Sequence, residues 1–289
     1  MIPCEASGQD ASFKARPLLP ASRRFQILDA VVRDMLTGAV WSGDANLPEF
    51  PLTWHEAKMF VADMCARREY GRSDWQLPSR RLLFSLISHQ QVNPALAVGH
   101  PFRNVFTGYY WAADTCRRLQ NQAWYVHLGG GRVHRGMKHG SYMVWPVSMH
   151  DSGCDDKGGI GADRFTIDGP FVNDRLTGLN WCRDANPSAV SLDWQQALDR
   201  VSQMNKDVID GHADWRVPTI RELESLVSLD AHSPALPSGH PFSNVQDTYW
   251  SSTTSVYEPR YAWTIYMQDG IVGVGFKPGS DFHLWPVRG

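Results

Sequence analysis

Histidines flanked by basic and aromatic residues are the side chains in this sequence best suited to chemistry. His127 and His134 lie in AWYVHLGGGRVHRG, on either side of a glycine-rich turn. If the flanking segments pair as two strands that turn at Gly130-Gly131, His127 lies opposite His134. Two cross-strand histidines can hold Zn or Ni, and they can contact an anion when protonated near pH 6.

Other residues extend this pair into a basic, aromatic and titratable patch. Tyr125 and Arg132 share the predicted face of the histidines, and Lys138 and His139 follow directly along the chain. Three interpretations stay open: an ordinary exposed polar sheet face, a contact for an anion or glycan, and a metal site. Loop residues just before the two hairpins are weaker candidates for ligand contacts, namely Arg117, Arg118, Tyr257 and Arg260.

A second pair of histidines occurs in two nearly identical segments, GHPFRNV (99–105) and GHPFSNV (239–245). His100 and His240 could be ligand contacts or metal ligands. However, a proline forces the preceding residue into an extended conformation, and the phenylalanine that follows can anchor the loop in the core. No reactive Cys or metal-type His spacing accompanies either histidine, so a structural role is favoured.

The Asp-Trp pairs Asp74-Trp75 and Asp214-Trp215 allow two interpretations as well. They could place an acidic ligand beside a tryptophan that stacks on a sugar. A buried tryptophan and an aspartate in a turn before the following helix is the simpler explanation.

These segments repeat because a whole domain is duplicated. RFQILDAVVRDMLTGAVW (24–41) aligns with RFTIDGPFVNDRLTGLNW (164–181), and SDWQLPSRRLLFSLIS (73–88) aligns with ADWRVPTIRELESLVS (213–228). In this alignment, Tyr266 of the second repeat occupies the position of His127 in the first repeat. We therefore expect a polar leader (1–23), a first repeat (24–147), a Gly- and Asp-rich linker (148–163) and a second repeat (164–289).

Each repeat must build its site from two helices and several strands. Trp194, Ala197, Leu198, Val201 and Met204 form one helical stripe over 193–206, capped by Ser191 or Asp193, and Thr53 begins the equivalent helix. Thr219, with Glu222, caps a second helix. Asp269-Gly270 predicts a two-residue hairpin turn that pairs Gln268 with Ile271. The hairpin faces that carry Tyr266 and, in the first repeat, His127 are expected to point away from the core.

Composition excludes several classes of protein. The net charge of −2 provides no basic field for nucleic acid, and no apolar stretch is long enough to insert in a membrane. The five cysteines form no CxxC pair. Twelve Trp and nine Tyr are available for cores or for exposed binding faces.

Taken together, LTGLNW, DWRVPTIRELESL, GHPFSNV, YWSSTT, YAW and the closing WPVR resemble the bacterial domain family named for the C-terminal domain of the Legionella collagen-like adhesin. The resemblance covers both repeats and implies an α+β, C-type-lectin-like fold: two helices flank a twisted antiparallel sheet with long loops. It also implies a surface-associated or secreted protein, although residues 1–24 lack the apolar core of a signal peptide.

The resemblance further implies ligand binding rather than catalysis. The calcium motif of C-type lectins is not matched, since Glu258-Pro259-Arg260 places an arginine where an oxygen ligand is needed. Asp151, Asp155 and Asp156 in the linker could bind a cation, but a solvated loop is the simpler interpretation. The enzymatic relatives of this fold need a copper-binding cysteine pair or three iron-binding histidines, and neither recurs here.

The function expected from the sequence is therefore non-catalytic recognition of a carbohydrate, including an anionic glycan, or of a protein at a bacterial surface. The alternative is a structural or protein-binding module of a surface or phage-type assembly. No cofactor or metal is expected, and an enzyme ranks third.

Overall fold

A computed structural model of the chain describes residue 9 and residues 19–149 and 164–289. The chain divides into two compact units, Leu18–Gly158 and a unit that contains Gly159–Gly289. Most of the predicted leader and linker, including Asp151, Asp155 and Asp156, lies outside the described residues. In the described parts of the chain, no helix is long and apolar enough to cross a membrane.

The first domain combines short helices with antiparallel strands. Its helices are α1 (Ala21–Arg24), α2 (Trp54–Ala66) and α3 (Arg80–Leu86). Its strands are β1 (Phe25–Leu28), β2 (Val31–Asp34), β3 (Val40–Ser42), β4 (Leu52–Thr53), β5 (Trp75–Gln76), β6 (Tyr109–Thr115), β7 (Gln122–His127), β8 (Val133–Met137), β9 (Ser141–Tyr142) and β10 (Val147–Ser148). One sheet has the order β1-β2-β3-β10-β5, β6-β7-β8 form an antiparallel meander, and β4 pairs with β9.

The second domain repeats this architecture with fewer short strands. Its helices are α4 (Trp194–Lys206) and α5 (Ile220–Ser225), and its strands are β11 (Phe165–Asp168), β12 (Phe171–Asp174), β13 (Leu179–Cys182), β14 (Thr248–Thr254), β15 (Tyr261–Tyr266), β16 (Ile271–Phe276) and β17 (Val287–Arg288). One sheet has the order β11-β12-β13-β17, and β14-β15-β16 form the second meander. The prediction of two tandem α+β domains with antiparallel strands is confirmed.

The helices begin where the sequence predicts. The side chains of Thr53 and Asp193 each accept a hydrogen bond from the backbone N–H three residues on. In turn, the backbone N–H of each cap residue donates to the side chain of Glu56 or Gln196. Thr219 and Glu222 form the same capping box at α5. Each box satisfies backbone donors that the first turn of a helix leaves unpaired, which explains why these starts could be read from the sequence.

The meander lies between two helices, so both of its faces are covered. In the first domain α2 packs through Trp54 and Ala57 against Trp111 and Ala123. On the opposite face, α3 places the Arg80 guanidinium 4.9 Å from the ring centroid of Trp124. The side chains of neighbouring strand residues point to opposite faces of a sheet, and in this meander a helix packs on each face.

All twelve tryptophans are buried, and they form six equivalent pairs, 41/181, 54/194, 75/215, 111/250, 124/263 and 145/285. Several donate an indole N–H to a backbone carbonyl in the same way in both domains. Trp54 Nε1 donates to Ala112 O at 2.9 Å, and Trp194 Nε1 donates to Ser251 O at 2.8 Å. The tryptophans therefore build the core, and exposed aromatic surface comes from Tyr and Phe.

The predicted register of the hairpin is wrong. Tyr266 pairs with Ile271, whereas the sequence predicted a partnership between Gln268 and Ile271. Met267 leaves the ladder because its backbone N–H donates to Asp247 O and its carbonyl accepts from Ala235 N, and its side chain is fully buried. A longer loop results, in which Gly270 has the positive φ of +86° that favours glycine.

The strand limits differ for related reasons. β15 ends at Tyr266, two residues before Gln268, the expected partner of Ile271. The first domain shows the same departure at its own hairpin, where Leu128 is fully buried and its N–H donates to Gly108 O. Backbone hydrogen bonds to long loop segments, which a local pattern does not contain, decide both registers.

Candidate functional site

Three tyrosines form a cluster at one end of the first meander, at the surface beyond the α2 core. Tyr109 comes from β6, Tyr125 from β7 and Tyr142 from β9. Their ring centroids lie 4.8 Å (Tyr109–Tyr125), 5.0 Å (Tyr125–Tyr142) and 5.3 Å (Tyr109–Tyr142) apart. Tyr109 is 43% exposed, and the other two are half-buried. The cluster therefore presents aromatic surface to solvent.

Two predicted histidines border this tyrosine cluster. The ring of His127 lies edge-on to Tyr109, with centroids 4.8 Å apart, and His134 stacks on Tyr125 at 6.0 Å and an angle of 26°. Arg132 and His134 are exposed, and His127 is half-buried. The structure thus brings Tyr125, His127, Arg132 and His134 together on one face.

The predicted pairing of the two histidines is wrong. Tyr125 is the partner of His134 in the β7–β8 ladder, and His127 N donates to Arg132 O at 2.8 Å. The pairing shifts because Leu128 is drawn into the core, as described above. Among the described residues, no group of three or more His, Cys, Asp or Glu side chains is placed to hold a metal ion.

The expected orientation of this face is also wrong. Tyr125 and Tyr142 pack against the core cluster of α2, and Tyr266 packs against the corresponding cluster of α4. The face that was expected to be solvent-exposed is covered by a helix along most of its length. Only its outer end, around Tyr109 and Arg132, is open.

Burial alters the acid–base properties of the cluster. It lowers the pKa of His127, and the positive charge of Arg132 lowers it further. Both effects disfavour the protonated form of His127, which opposes the proposed contact of a charged imidazole with an anion. Burial, assisted by Tyr142 and Tyr109, raises the pKa of Tyr125 to about 12, so this phenol remains a hydrogen-bond donor at neutral pH.

An open cavity of about 250 Å³ adjoins the cluster. The described residues that line it are Asn46, Glu49, Pro51, Phe106, Tyr109, Ser141, Tyr142 and Met143. Phe106 is 54% exposed, and its ring lies over Gly108, where a Cβ would collide with it. Aromatic rings bordered by a few polar groups are the usual composition of a ligand pocket.

A glycine allows Tyr142 to lie across the neighbouring strand. A Cβ added at Gly136 of β8 would stand 2.7 Å from the Tyr142 hydroxyl. Gly275 fulfils the same requirement in the second domain, where a Cβ would stand 2.5 Å from Phe282 Cε2. The two domains thus hold an aromatic ring at the same place, but only the first carries a hydroxyl there.

The remaining predicted residues of the first domain lie at the other end of the meander. Arg117 and Arg118 are exposed in the turn between β6 and β7, and exposed His139 follows β8. The length of β7 separates this end from His127 by about 17 Å. Lys138 Nζ sits 4.3 Å from the ring centroid of Trp54, as Lys277 Nζ sits 3.9 Å from that of Trp194. Lys138 is therefore common to both copies and not an addition to the first.

In the second domain the candidate residues do not form a comparable cluster. Tyr257 is 75% exposed, and Arg260 lies over the ring of Phe276 at 5.1 Å. Tyr266 contacts Phe282 at 6.0 Å between centroids. Thr248 and Thr264 replace Tyr109 and Tyr125 in the strand pairing, so two of the three tyrosines have no aromatic counterpart.

The histidines of the GHPF segments have structural surroundings. His100 stacks on Phe102 and His240 on Phe242, each at 6.0 Å. Phe102 and Phe242 then pack edge-on against Trp145 and Trp285. The tryptophans of both Asp-Trp pairs are 3% exposed and are not available to stack on a sugar.

Sequence reasoning missed Tyr109, Tyr142, Phe106 and Glu49. Tyr109 alternates with Trp111 on β6, and this period-two spacing was a usable signal for a shared face. Tyr142 and Glu49 lie in short or irregular segments where no periodic pattern predicts the direction of a side chain.

The comparisons agree with the duplicated architecture. A family model described as the Lcl C-terminal domain matches residues 30–148 and again residues 170–288. No curated protein matches the chain. The two matches cover most of the sequence, and the chain therefore belongs to the Lcl C-terminal domain family, of which it carries two tandem copies.

Proposed function

We propose that the chain is a non-catalytic recognition protein whose first domain binds a carbohydrate at a bacterial surface. The observation that carries this proposal is the exposed tyrosine cluster of Tyr109, Tyr125 and Tyr142 beside an open cavity. Aromatic rings offer the apolar C–H faces of a sugar a large rigid surface, while phenol groups provide hydrogen bonds at its edge. Family membership supports a surface-associated binding domain.

The charges at the open end favour an anionic glycan. Arg132 is exposed and directly precedes β8, and its carbonyl accepts a hydrogen bond from His127 N at 2.8 Å. A guanidinium binds carboxylate or sulfate groups through paired hydrogen bonds. Burial and the charge of Arg132 lower the pKa of His127, so the attraction for an anion rests mainly on Arg132.

The same proposal includes a fold assignment that is more specific than two α+β domains. We infer a C-type-lectin-like fold, supported by two helices that cover opposite faces of an antiparallel meander in each domain. Long segments without regular structure, such as 87–108 and 226–247, precede each meander. In such a fold, loops and strand ends form the natural ligand surface.

A glycan array probed with the full chain tests the function, followed by titration of the best binder. We expect saturable binding with one site per chain, because the second domain lacks two of the three tyrosines. Tyr109→Ala should weaken binding at least about tenfold. Thr248→Ala, at the equivalent position of the second domain, is the matched control and should leave binding unchanged.

Other outcomes would decide against the proposal. An array without saturable binding, combined with one protein captured reproducibly, would favour the alternative of a protein-binding module. Retention of full affinity by Tyr109→Ala would remove the tyrosine cluster from the site. If Arg132→Ala does not alter the preference for sulfated over neutral glycans, the anionic part of the proposal fails.

A further inference from the structure

The cavity beside the tyrosine cluster has a chemical character that carbohydrate binding does not require. Phe106, Tyr109 and Tyr142 supply three aromatic walls, and Pro51 and Met143 add apolar surface. Glu49 supplies a carboxylate. Of the described residues that line the cavity, none is Lys, Arg or His.

Glu49 is available to a ligand. It is exposed, and its carboxylate forms no ion pair with a described residue, while its backbone N–H donates to Asn46 O at 3.1 Å. The backbone at Glu49 has a φ of +63°, so the turn fixes this position in an unusual conformation. A carboxylate at the rim of an aromatic cavity produces a negative potential, to which the faces of the rings add.

We propose that this cavity binds an alkylated ammonium group, such as the trimethylammonium head of choline. The methyl groups of such a cation match the apolar walls, and its diffuse positive charge is attracted by ring faces and by Glu49. An ordinary primary ammonium is more strongly hydrated and gains less from aromatic walls. The volume of about 250 Å³ is below the usual range for drug-sized ligands and suits a compact head group.

The second domain shows which features are specific to the first. Phe106 N donates to the Tyr110 hydroxyl at 2.8 Å, and Gln246 N donates to the Tyr249 hydroxyl at 2.6 Å, so Gln246 is the counterpart of Phe106. Ala189 has a φ of +57° and donates to Asn186 O at 3.0 Å, as Glu49 does to Asn46. With Thr248 for Tyr109, the second domain has lost two aromatic walls and the carboxylate.

This inference does not rest on carbohydrate recognition, although the cavity shares Tyr109 and Tyr142 with the proposed carbohydrate surface. The probes are choline chloride and its neutral isostere 3,3-dimethylbutan-1-ol, titrated into the full chain by calorimetry and by saturation-transfer NMR of the methyl signals. We expect choline to bind with one site per chain and about tenfold more tightly than the neutral alcohol.

Two variants localise the site, and one of them, Phe106→Gln, installs the counterpart residue of the second domain. Glu49→Gln and Phe106→Gln should each weaken choline binding about fivefold. Glu49→Gln should leave binding of the neutral alcohol unchanged, because it removes only the charge. Gln246→Ala in the second domain is the control, and circular dichroism with thermal unfolding verifies that each variant is folded.

Three results would overturn the inference: no saturable binding of choline, equal affinities for choline and the neutral alcohol, or unchanged choline affinity in folded Glu49→Gln. Failure of the carbohydrate proposal would be visible separately. The unmodified chain would then show no saturable binding on the glycan array, or its glycan binding would not change in Tyr109→Ala and Arg132→Ala.

Discussion

Arg24 and Asp34 form a buried, two-point ion pair that recurs as Arg164 and Asp174. Arg24 Nε and Nη2 donate to the two carboxylate oxygens of Asp34 at 3.0 and 2.7 Å, and the second pair has distances of 2.8 and 2.7 Å. Each arginine directly precedes an outer strand, β1 or β11, and each aspartate ends the strand that pairs with it, β2 or β12. The hairpins that open the two domains are thus held by the same charge-assisted contact.

Removal of this ion pair should destabilise the first domain strongly. In Arg24→Met the carboxylate of Asp34 stays buried without its partner, which costs about 3–5 kcal/mol of unfolding free energy. Urea unfolding measures the loss. Arg67→Ala is the control, because its ion pair with Asp63 is exposed and should contribute less than about 1 kcal/mol. Equal losses in the two variants would contradict the prediction.

Gly136→Ala should displace Tyr142 and damage the tyrosine cluster. The added methyl group must push away the Tyr142 ring, since its place is 2.7 Å from the hydroxyl, and overpacking of this kind costs about 1–3 kcal/mol. Gly130→Ala adds the same group where no atom lies within 4 Å and should be nearly neutral. Thermal unfolding and ligand titration of both variants test this, and an undisturbed site in Gly136→Ala would refute it.

Cys65→Asn should stabilise the first domain. Asn205 occupies the equivalent place in the second domain, where its side chain donates to Trp215 O at 2.8 Å and accepts from Trp215 N at 2.7 Å. Cys65 makes only a thiol contact with Trp75 O at 3.1 Å. The two amide hydrogen bonds should add about 1 kcal/mol to the unfolding free energy, measured by urea unfolding. A destabilised Cys65→Asn would show that the two domains differ locally.

Stability should fall as the pH drops below about 6.5, in part because of His100 and His240. Burial lowers the pKa of both imidazoles in the folded state, so the unfolded chain binds protons first. The stability is present at neutral pH and is lost as the pH falls through the unfolded value toward the folded one.

The measurement is the difference in thermal unfolding between pH 7 and pH 5. His240→Gln should reduce this difference for the second domain, because a neutral side chain has no proton to gain. His232→Gln, at an exposed position, is the matched control. An unchanged pH difference in His240→Gln would rule out the contribution of His240.

Local chemistry predicted much of the fold. The caps at Thr53, Asp193 and Thr219 depend on residues at most three positions apart, and such contacts are contained in a short pattern. The tandem organisation followed from the internal repeat, and the α+β class followed from the family resemblance. The hairpin registers could not be predicted, because Met267 and Leu128 bond to distant loop segments.

For a similar reason, the sequence predicted only part of the candidate site. Tyr125, His127, Arg132 and His134 share one hairpin, so alternation placed them on one face. Tyr109 comes from β6, Tyr142 from β9 and Glu49 from a turn, and only the tertiary fold brings these three together. The same fold separates Arg117 and Arg118 from the others at the opposite end of β7.

The buried tryptophans have a practical consequence for anyone who studies this protein in solution. Each indole lies in the core and has a counterpart in the other domain, so tryptophan emission will report the loss of packing in both halves together. Trp111 packs on the tyrosine cluster, with its ring centroid 4.4 Å from that of Tyr142. A ligand at the Tyr109 surface therefore acts on tryptophan emission through Tyr142, and a fluorescence titration that also observes the tyrosines or the ligand itself will report binding more directly.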